Sequence, residues 1–189
     1  NNEFIYVMYS RTFYQISLAN EFLRQSTPEK LSGRTVDPAV LSDMPSYRAE
    51  ARFLRAYYYW TMMKQLGPVA ISPLLSGKPG DDFQIPRSTW DECVNFVLSE
   101  IEKAKLDLPV DYYLDGTTVD GTQIGRINKI IATALESQIL LYHASPLFNG
   151  NSELADFKNL DGTVLFNQVY DANRWVKAAE KAKEAIARK

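Results

Sequence analysis

The segment EARFLRAYYYWTMMKQLGPV, residues 50–69, places four large aromatic residues side by side. Its apolar residues recur at helical spacing, which predicts a helix. At about 100° per residue, the rings of Tyr57, Tyr58, Tyr59 and Trp60 point around most of the helix circumference. A helix on a protein surface buries only one stripe. The segment is therefore predicted to be an inner helix of a stacked array, and contact of the aromatics with a ligand is the alternative.

Five helices are predicted in all, joined by long polar connections. The first covers about residues 3–25, and the second is the aromatic segment, which begins near Ser46 and ends at LGPV. The third follows PRSTWDE, where Ser88 is predicted to cap the helix and Asp91 to reach back to it. The fourth follows GRINK and ends before SPLF, and the fifth begins near residue 173.

Apolar stripes at helical spacing are expected to face the core. The predicted stripes are Ile5, Met8, Ile16, Ala19 and Leu23 on the first helix; Trp90, Val94, Val97, Ile101 and Ala104 on the third; Ile131, Ala134, Leu135, Leu141 and Tyr142 on the fourth; and Trp175, Val176, Ala179, Ala182 and Ile186 on the fifth. Strand signals are sparse, with PVAIS and TVLF as short extended candidates. The predicted fold class is all-α, a single domain over residues 1–189 built as an antiparallel helical repeat array with long loops.

Composition and charge exclude several classes of protein. The 189 residues carry a formal net charge of −2, which provides no basic surface for nucleic acid. No apolar run is long enough to span a membrane. The single cysteine, Cys93, cannot form an intrachain disulfide and is expected to be a buried structural thiol rather than a reactive one. Both ends run into helical sequence, so we expect the chain to be part of a longer protein.

Residues with catalytic or metal-binding chemistry are few. The single histidine, His143, is expected to be structural, because one histidine and one cysteine support neither a zinc site nor a catalytic triad. No nucleotide-binding loop is present, so no cofactor, metal or catalytic residue is predicted. The DGT triplets at Asp115, Asp120 and Asp161 are predicted turns, since their spacing does not fit a calcium loop. A carboxylate pair for glycoside hydrolysis stays open, although the sequence singles out no pair.

Arg52 and Arg55 lie three residues apart on the second predicted helix and cannot neutralise each other. Glu50 is too close in sequence to pair well with both. We expect the two arginines to meet carboxylates or helix carbonyls of a neighbouring element, and an anion or glycan site is the alternative.

The long connections contain side chains suited to ligand binding. Sugar rings place an apolar face on an aromatic ring while their hydroxyls pair with amides and carboxylates. The candidates for such contacts are Tyr112, Tyr113, Phe148, Asn149 and Tyr170. The alternative is that these side chains anchor long loops to the helical body.

Five sequence blocks resemble, in the same order, those of the SusD/RagB family. The first is YQISLANEFL, and the second, EARFLRAYYYWTMMKQLGPV, resembles the hallmark helix of the family. The third and fourth are IPRSTWDECVNFVLSEIEKAKLDLP and GRINKIIATALESQILLYHASPLFN, and the fifth is RWVKAAEKAKEAI. Together they cover nearly the whole chain, which makes the resemblance specific.

The resemblance implies a fold and a function that periodicity does not show. Members of the family are lipid-anchored outer-membrane proteins of Bacteroidota, longer than this chain, whose tetratricopeptide-like helix pairs support an irregular ligand-binding region. They bind glycans at the cell surface without cleaving them and cover a SusC-type TonB-dependent transporter. We therefore expect glycan capture for transport, with the lipid anchor outside this segment. The rival expectations are a helical scaffold that docks on the transporter, a peptide-binding relative and a hydrolase.

Overall fold

The computed structural model describes residues 2–72 and 84–187. Its helices are α1 (Asn2–Gln25), α2 (Pro28–Leu31), α3 (Pro38–Leu66), α4 (Trp90–Asp107), α5 (Lys129–Ala144) and α6 (Asn173–Ala187), with one 3-10 turn at Ser152–Leu154. Over the described ranges the structure contains no strand, only two isolated bridges, so the all-α prediction is confirmed. None of the helices in this part of the chain combines the length and apolar content needed to cross a membrane.

The helices pack as an antiparallel array in the order α1, α3, α4, α5, α6. The start of α4 meets the end of α5, where Trp90 Nε1 donates to His143 Nδ1 at 3.0 Å. The start of α4 also meets the end of α3, where Cys93 Sγ donates to the carbonyl of Val69 at 3.4 Å. As predicted, α3 lies between two neighbours, α1 and α4, and α5 lies between α4 and α6.

The aromatic run of α3 is largely, but not wholly, enclosed. Tyr59 and Trp60 are completely buried, Tyr58 is half-buried, and Tyr57 remains 42% exposed. The Tyr59 hydroxyl also accepts a hydrogen bond from the backbone N–H of Ser72 at 2.8 Å. Trp60 also contacts α5, where its ring centroid lies 5.3 Å from that of Tyr142, while Tyr57 lies on the side that the array leaves open.

Two predicted helix starts differ from the structure. Helix α3 begins at Pro38 rather than near Ser46, because Asp37 caps it by accepting from the Ala39 N–H at 2.8 Å, and Pro45 is accommodated inside the helix. A proline within a helix removes one hydrogen bond, but the cap and the remaining bonds extend the helix through it.

The cap of α4 is displaced by one residue from the predicted position. Thr89, not Ser88, accepts from the backbone N–H of Glu92 at 3.2 Å, and the Glu92 carboxylate accepts from the Thr89 N–H at 2.7 Å. The capping box is therefore Thr89–Glu92. Asp91, predicted to complete the box, instead accepts from Arg174 of α6 at 2.9 Å.

Three of the predicted apolar stripes are partly wrong. The stripe on α4 is buried throughout, whereas Ile5 of α1 is exposed, as are several residues of the stripes on α5 and α6: Ile131, Ala134, Leu141, Trp175, Val176, Ala179 and Ile186. On α5 the buried face includes Glu136, whose carboxylate accepts from Lys105 at 2.7 Å. On α6 it includes Arg174. A pattern based on hydrophobicity does not identify these buried faces, because charged residues occupy core positions on them.

The two short extended candidates do not form strands. Residues 68–72 are irregular, and in TVLF only Val164 forms a bridge, with Lys158. The turn between Lys158 and Val164 holds Asp161, whose carboxylate accepts from the Thr163 N–H at 2.9 Å.

Candidate functional site

The connection between α4 and α5 folds back on itself as a small hairpin. The backbone N–H of Asp120 donates to the carbonyl of Tyr112 at 2.8 Å, and Tyr113 bridges Val119. At the tip, the carboxylate of Asp115 accepts two backbone N–H bonds, the shorter of 2.6 Å, which hold the pKa of Asp115 well below its ordinary value. The DGT turns predicted at Asp115 and Asp120 are thus confirmed.

An arginine pins this hairpin to α3. Arg126 Nε donates to Glu50 Oε1 at 2.9 Å, and Arg126 Nη1 donates to Gln123 Oε1 at 2.6 Å. The guanidinium lies over the rings of Tyr47 and Tyr112, 5.4 and 5.5 Å from their centroids. Burial raises the pKa of Tyr112, so its hydroxyl is neutral at physiological pH. These five side chains form one polar and aromatic cluster.

Two cavities flank the cluster, and we refer to them together as the hairpin groove. The larger, of about 400 Å³, lies between the hairpin and α3, and the smaller, of about 210 Å³, lies on the other side of Tyr112 and Arg126. Polar groups dominate the larger cavity, including Asp43, Ser46, Asp107, Asp120 and Gln123. The smaller cavity is lined by Tyr113, which is 47% exposed, and by isoleucines at the start of α5.

The predicted site residues Phe148 and Asn149 lie elsewhere, inside the protein. The Phe148 ring stacks on Trp90 with centroids 3.8 Å apart and is also flanked by Phe166. Asn149 is 4% exposed, and its side chain bonds the backbone of Asp171 in both directions, accepting at 2.8 Å and donating at 2.9 Å. Both side chains are covered by protein and hold the loop after α5 in place.

Tyr170, which is 60% exposed, lies beside this second group. Its backbone approaches Gly150 so closely that a Cβ on the glycine would be 2.9 Å from the Tyr170 Cα. Residues 112 and 113 precede the 16-residue helix α5, and residues 148, 149 and 170 lie at its far end. A helix of that length spans about 24 Å. The structure therefore separates the five predicted residues into two groups at opposite ends of α5.

The remaining residues with reactive side chains have structural surroundings. His143 accepts from the indole of Trp90, and burial together with the charge of Arg174 lowers its pKa to about 4. Burial raises the pKa of the Cys93 thiol to about 11, so it is not a reactive thiolate. Both expectations of a structural role agree with these positions. Among the described residues, no group of three potential ligands could hold a metal ion.

Arg52 and Arg55 meet a carboxylate of the neighbouring helix, as expected. Glu100 of α4 accepts from Arg52 at 3.4 Å and from Arg55 at 3.3 Å. The Arg55 guanidinium also lies 4.9 Å from the centroid of the Phe96 ring. The pair thus joins α3 to α4.

Sequence reasoning missed four members of the cluster at the hairpin groove: Tyr47, Glu50, Gln123 and Arg126. A signal was present, because Glu50 opens the block EARFLRA and Arg126 belongs to the block opening with GRINK. A pairing between these two blocks, 76 residues apart, could not be derived from spacing alone. The groove offers hydroxyl, amide and carboxylate groups beside aromatic rings, which suits a ligand rich in hydroxyl groups.

The fold is that of a helical-repeat protein with a polar groove beside the hairpin that precedes α5. The sequence profile of the SusD-like family described as "Starch-binding associating with outer membrane" matches residues 1–141. Since this match covers well over half of the chain, the protein belongs to the SusD-like family, which confirms the resemblance. Comparison with curated proteins gives no match.

The same fold is present in solved structures. The structure of BT4246 is 26% identical to this chain, with a TM-score of 0.80 over 95% of the chain. A SusD-like protein (BF3747) from Bacteroides fragilis is 28% identical, with a TM-score of 0.57 over 72% of the chain. A laminarin-binding SusD-like protein is 22% identical, with a TM-score of 0.56 over 72%. The chain spans only 29%, 24% and 26% of these three structures.

Proposed function

We propose that this chain is part of a cell-surface protein that binds glycans without cleaving them and delivers them to a SusC-type TonB-dependent transporter of the outer membrane. Its attachment to the membrane is a lipid anchor outside this segment. The observation that carries the proposal is membership of a family described as starch-binding and associated with the outer membrane. The laminarin-binding relative is a further argument for a glycan as the ligand.

The hairpin groove is the proposed place of glycan contact. Tyr113 offers an exposed ring, and Tyr112 lies beside it with a neutral hydroxyl. Gln123 and Asp43 place an amide and a carboxylate on the same cavity, where they can bond sugar hydroxyls. Because Arg126 fixes the hairpin on α3, these groups are held in position before a ligand arrives, which reduces the entropy lost on binding.

A second proposed contact is Tyr170, at the other end of α5. Its exposed ring is supported by the buried neighbours Phe148 and Asn149, which act in this proposal by holding the loop rather than by touching sugar. The hairpin groove and Tyr170 lie at opposite ends of α5, which is about 24 Å long. In this proposal one extended polysaccharide contacts both places.

Native affinity electrophoresis of the protein in gels containing starch, laminarin, xyloglucan or dextran tests the proposal. We expect retarded migration in at least one gel and no change in the length of the polymer. Shortening of the polymer would instead establish a hydrolase. No retardation of the folded protein in any gel would contradict glycan binding and favour a scaffold docked on the transporter, or a peptide ligand.

Two substitutions locate the contact. Tyr113→Ala is expected to reduce retardation if the hairpin groove binds the glycan, and Tyr170→Ala if the other end does. A stacked aromatic pair is typically worth on the order of 1 kcal/mol beyond its buried area, and we expect a loss of similar size when the tyrosine ring is removed from a sugar. Tyr14→Ala is the matched control, because Tyr14 is 62% exposed on α1 and belongs to neither group. Equal retardation of the two site variants and the control would exclude both places.

A further inference from the structure

The larger cavity of the hairpin groove is lined by three carboxylates. Asp43, Asp107 and Asp120 all border it. Among the residues that the structure describes, none of the three is within ion-pair distance of a lysine or arginine. Asp43 accepts a hydrogen bond from the Tyr47 hydroxyl at 3.4 Å, and Asp120 caps its own turn. Both carboxylates keep further lone pairs free for a ligand.

Two arginines near the cavity are already engaged. Arg126 is neutralised by Glu50, which accepts from its Nε at 2.9 Å. Arg48 approaches from the side of Asp107 and offsets part of its charge, but donates to the carbonyl of Leu23 at 2.7 Å and the hydroxyl of Ser26 at 2.8 Å. The surroundings of the cavity therefore hold more negative than positive charge.

The lining of the smaller cavity also carries an excess of negative charge. Asp111 and Asp120 line it, and Arg126, shared with the larger cavity, is its cation. The connection that forms the hairpin has Asp111, Asp115 and Asp120 against this one arginine. The whole chain carries a net charge of only −2. Three aspartates against one arginine make this connection acidic where the glycan is proposed to bind.

We infer that the hairpin groove selects neutral glycans and rejects acidic ones, such as polymers containing uronate or sulfate groups. This inference rests on the proposed function. Carboxylates accept strong, charge-assisted hydrogen bonds from the hydroxyls of a neutral sugar. The same carboxylates repel an anionic substituent brought into the groove, and specificity arises from this rejection as much as from the attraction. Aromatic stacking alone would not distinguish the two kinds of glycan.

The test compares each neutral polysaccharide with its own carboxymethylated derivative, so that backbone and linkage stay constant. Starch, laminarin, xyloglucan and dextran serve as probes in affinity electrophoresis at low ionic strength, with polygalacturonate as a natural acidic polymer. We expect the carboxymethylated form of any bound polymer to retard the protein at least tenfold less, as judged from apparent dissociation constants. Because salt screens charges beyond about 8 Å at physiological ionic strength, the difference should shrink as salt is added.

A charge-neutralising variant tests whether the groove is responsible. D43N/D107N/D120N keeps the size of the three side chains and one acceptor oxygen on each, and should bring the carboxymethylated polymer to within about threefold of the neutral one. The control E153Q/D156N/E180Q makes the same change in net charge at exposed positions away from the groove and should keep the wild-type discrimination. Circular dichroism shows whether both variants fold.

The outcomes separate the inference from the proposed function. Equal or stronger binding of acidic polymers by the wild-type protein would overturn the inference while supporting glycan binding. Discrimination that survives in D43N/D107N/D120N, or that is lost equally in the control, would also overturn it, because the groove charges would not be its cause. Absence of binding to every neutral and acidic polymer would overturn the proposed function and the inference together.

Discussion

The contact between Arg55 and Glu100 provides a quantitative test of how α3 and α4 are held together. Both side chains are 4% exposed, and Arg55 Nη1 lies 3.3 Å from the Glu100 carboxylate. Arg52 and Lys103 also reach Glu100, but they are 26% and 54% exposed and can be solvated without it. Arg55 cannot. We therefore predict that Glu100→Gln, which keeps the shape and removes the charge, strongly destabilises the protein.

The size of the effect follows from the geometry. Two unit charges 3.3 Å apart attract by about 5 kcal/mol at an effective dielectric constant of about 20. Removal of one partner from a buried pair is typically found to cost about 3–5 kcal/mol, because the other charge remains buried and unpaired. We expect a loss of about this size in the free energy of unfolding, with the denaturant slope unchanged.

Urea unfolding followed by circular dichroism measures this loss. Glu21→Gln is the matched control, since Glu21 pairs with Arg24 at 2.6 Å on an exposed helix surface, where little effect is expected. The double variant R55M/E100L should recover most of the stability, because replacing both charges by apolar side chains leaves no charge unpaired. A loss from Glu100→Gln no larger than that from Glu21→Gln would refute the reasoning.

Three further predictions concern a helix cap, a turn and a histidine. Thr89→Ala should lower the free energy of unfolding in urea by about 1–2 kcal/mol, because the side-chain cap of α4 is lost. Ser88→Ala should leave it nearly unchanged. A larger loss from Ser88→Ala than from Thr89→Ala would contradict the observed cap. Gly150→Ala should lower the free energy of unfolding more than Gly116→Ala in the same assay. Both glycines have positive φ, but only at Gly150 would a Cβ meet backbone atoms, those of Tyr170 at 2.9 Å. Equal losses of stability would refute this. His143 has a pKa lowered to about 4 by burial, so the unfolded chain takes up its proton below pH 6.5 and the folded protein does not. The free energy of unfolding should fall by about 3 kcal/mol as pH decreases from 6.5 to 4, and by clearly less in His143→Gln; identical pH profiles would exclude His143 as the cause.

The sequence predicts where the long helices lie, because apolar residues recur in them at helical spacing, but it predicts their buried faces less well. The stripe on α4, from Trp90 to Ala104, was predicted without error, and every residue of it is buried. The stripe on α5 was not, because Glu136 occupies a core position there. A hydrophobicity pattern assigns a glutamate to the solvent-facing side of a helix. Glu136 is buried only because Lys105 and Lys181 meet it from α4 and α6, which periodicity within one helix cannot reveal.

The site was less predictable for a related reason. Residue type alone selected Phe148 and Asn149 together with Tyr112 and Tyr113, although α5 separates the two pairs. Whether an aromatic ring faces solvent or stacks on Trp90 depends on tertiary packing, to which the local sequence gives no access. The groove itself depends on the contact between Arg126 and Glu50, which arises only when two distant blocks come together.

The thiol of Cys93 can be used to measure how often helix α4 separates from the residues that follow α3. Cys93 is the only cysteine in the chain, is 1% exposed, and lies where the beginning of α4 meets the residues after α3. A thiol reagent can reach it only when that junction separates, since the folded environment shields the sulfur and keeps it protonated. The rate of labelling at equilibrium therefore reports the free energy of separating two central helices, without any engineered probe.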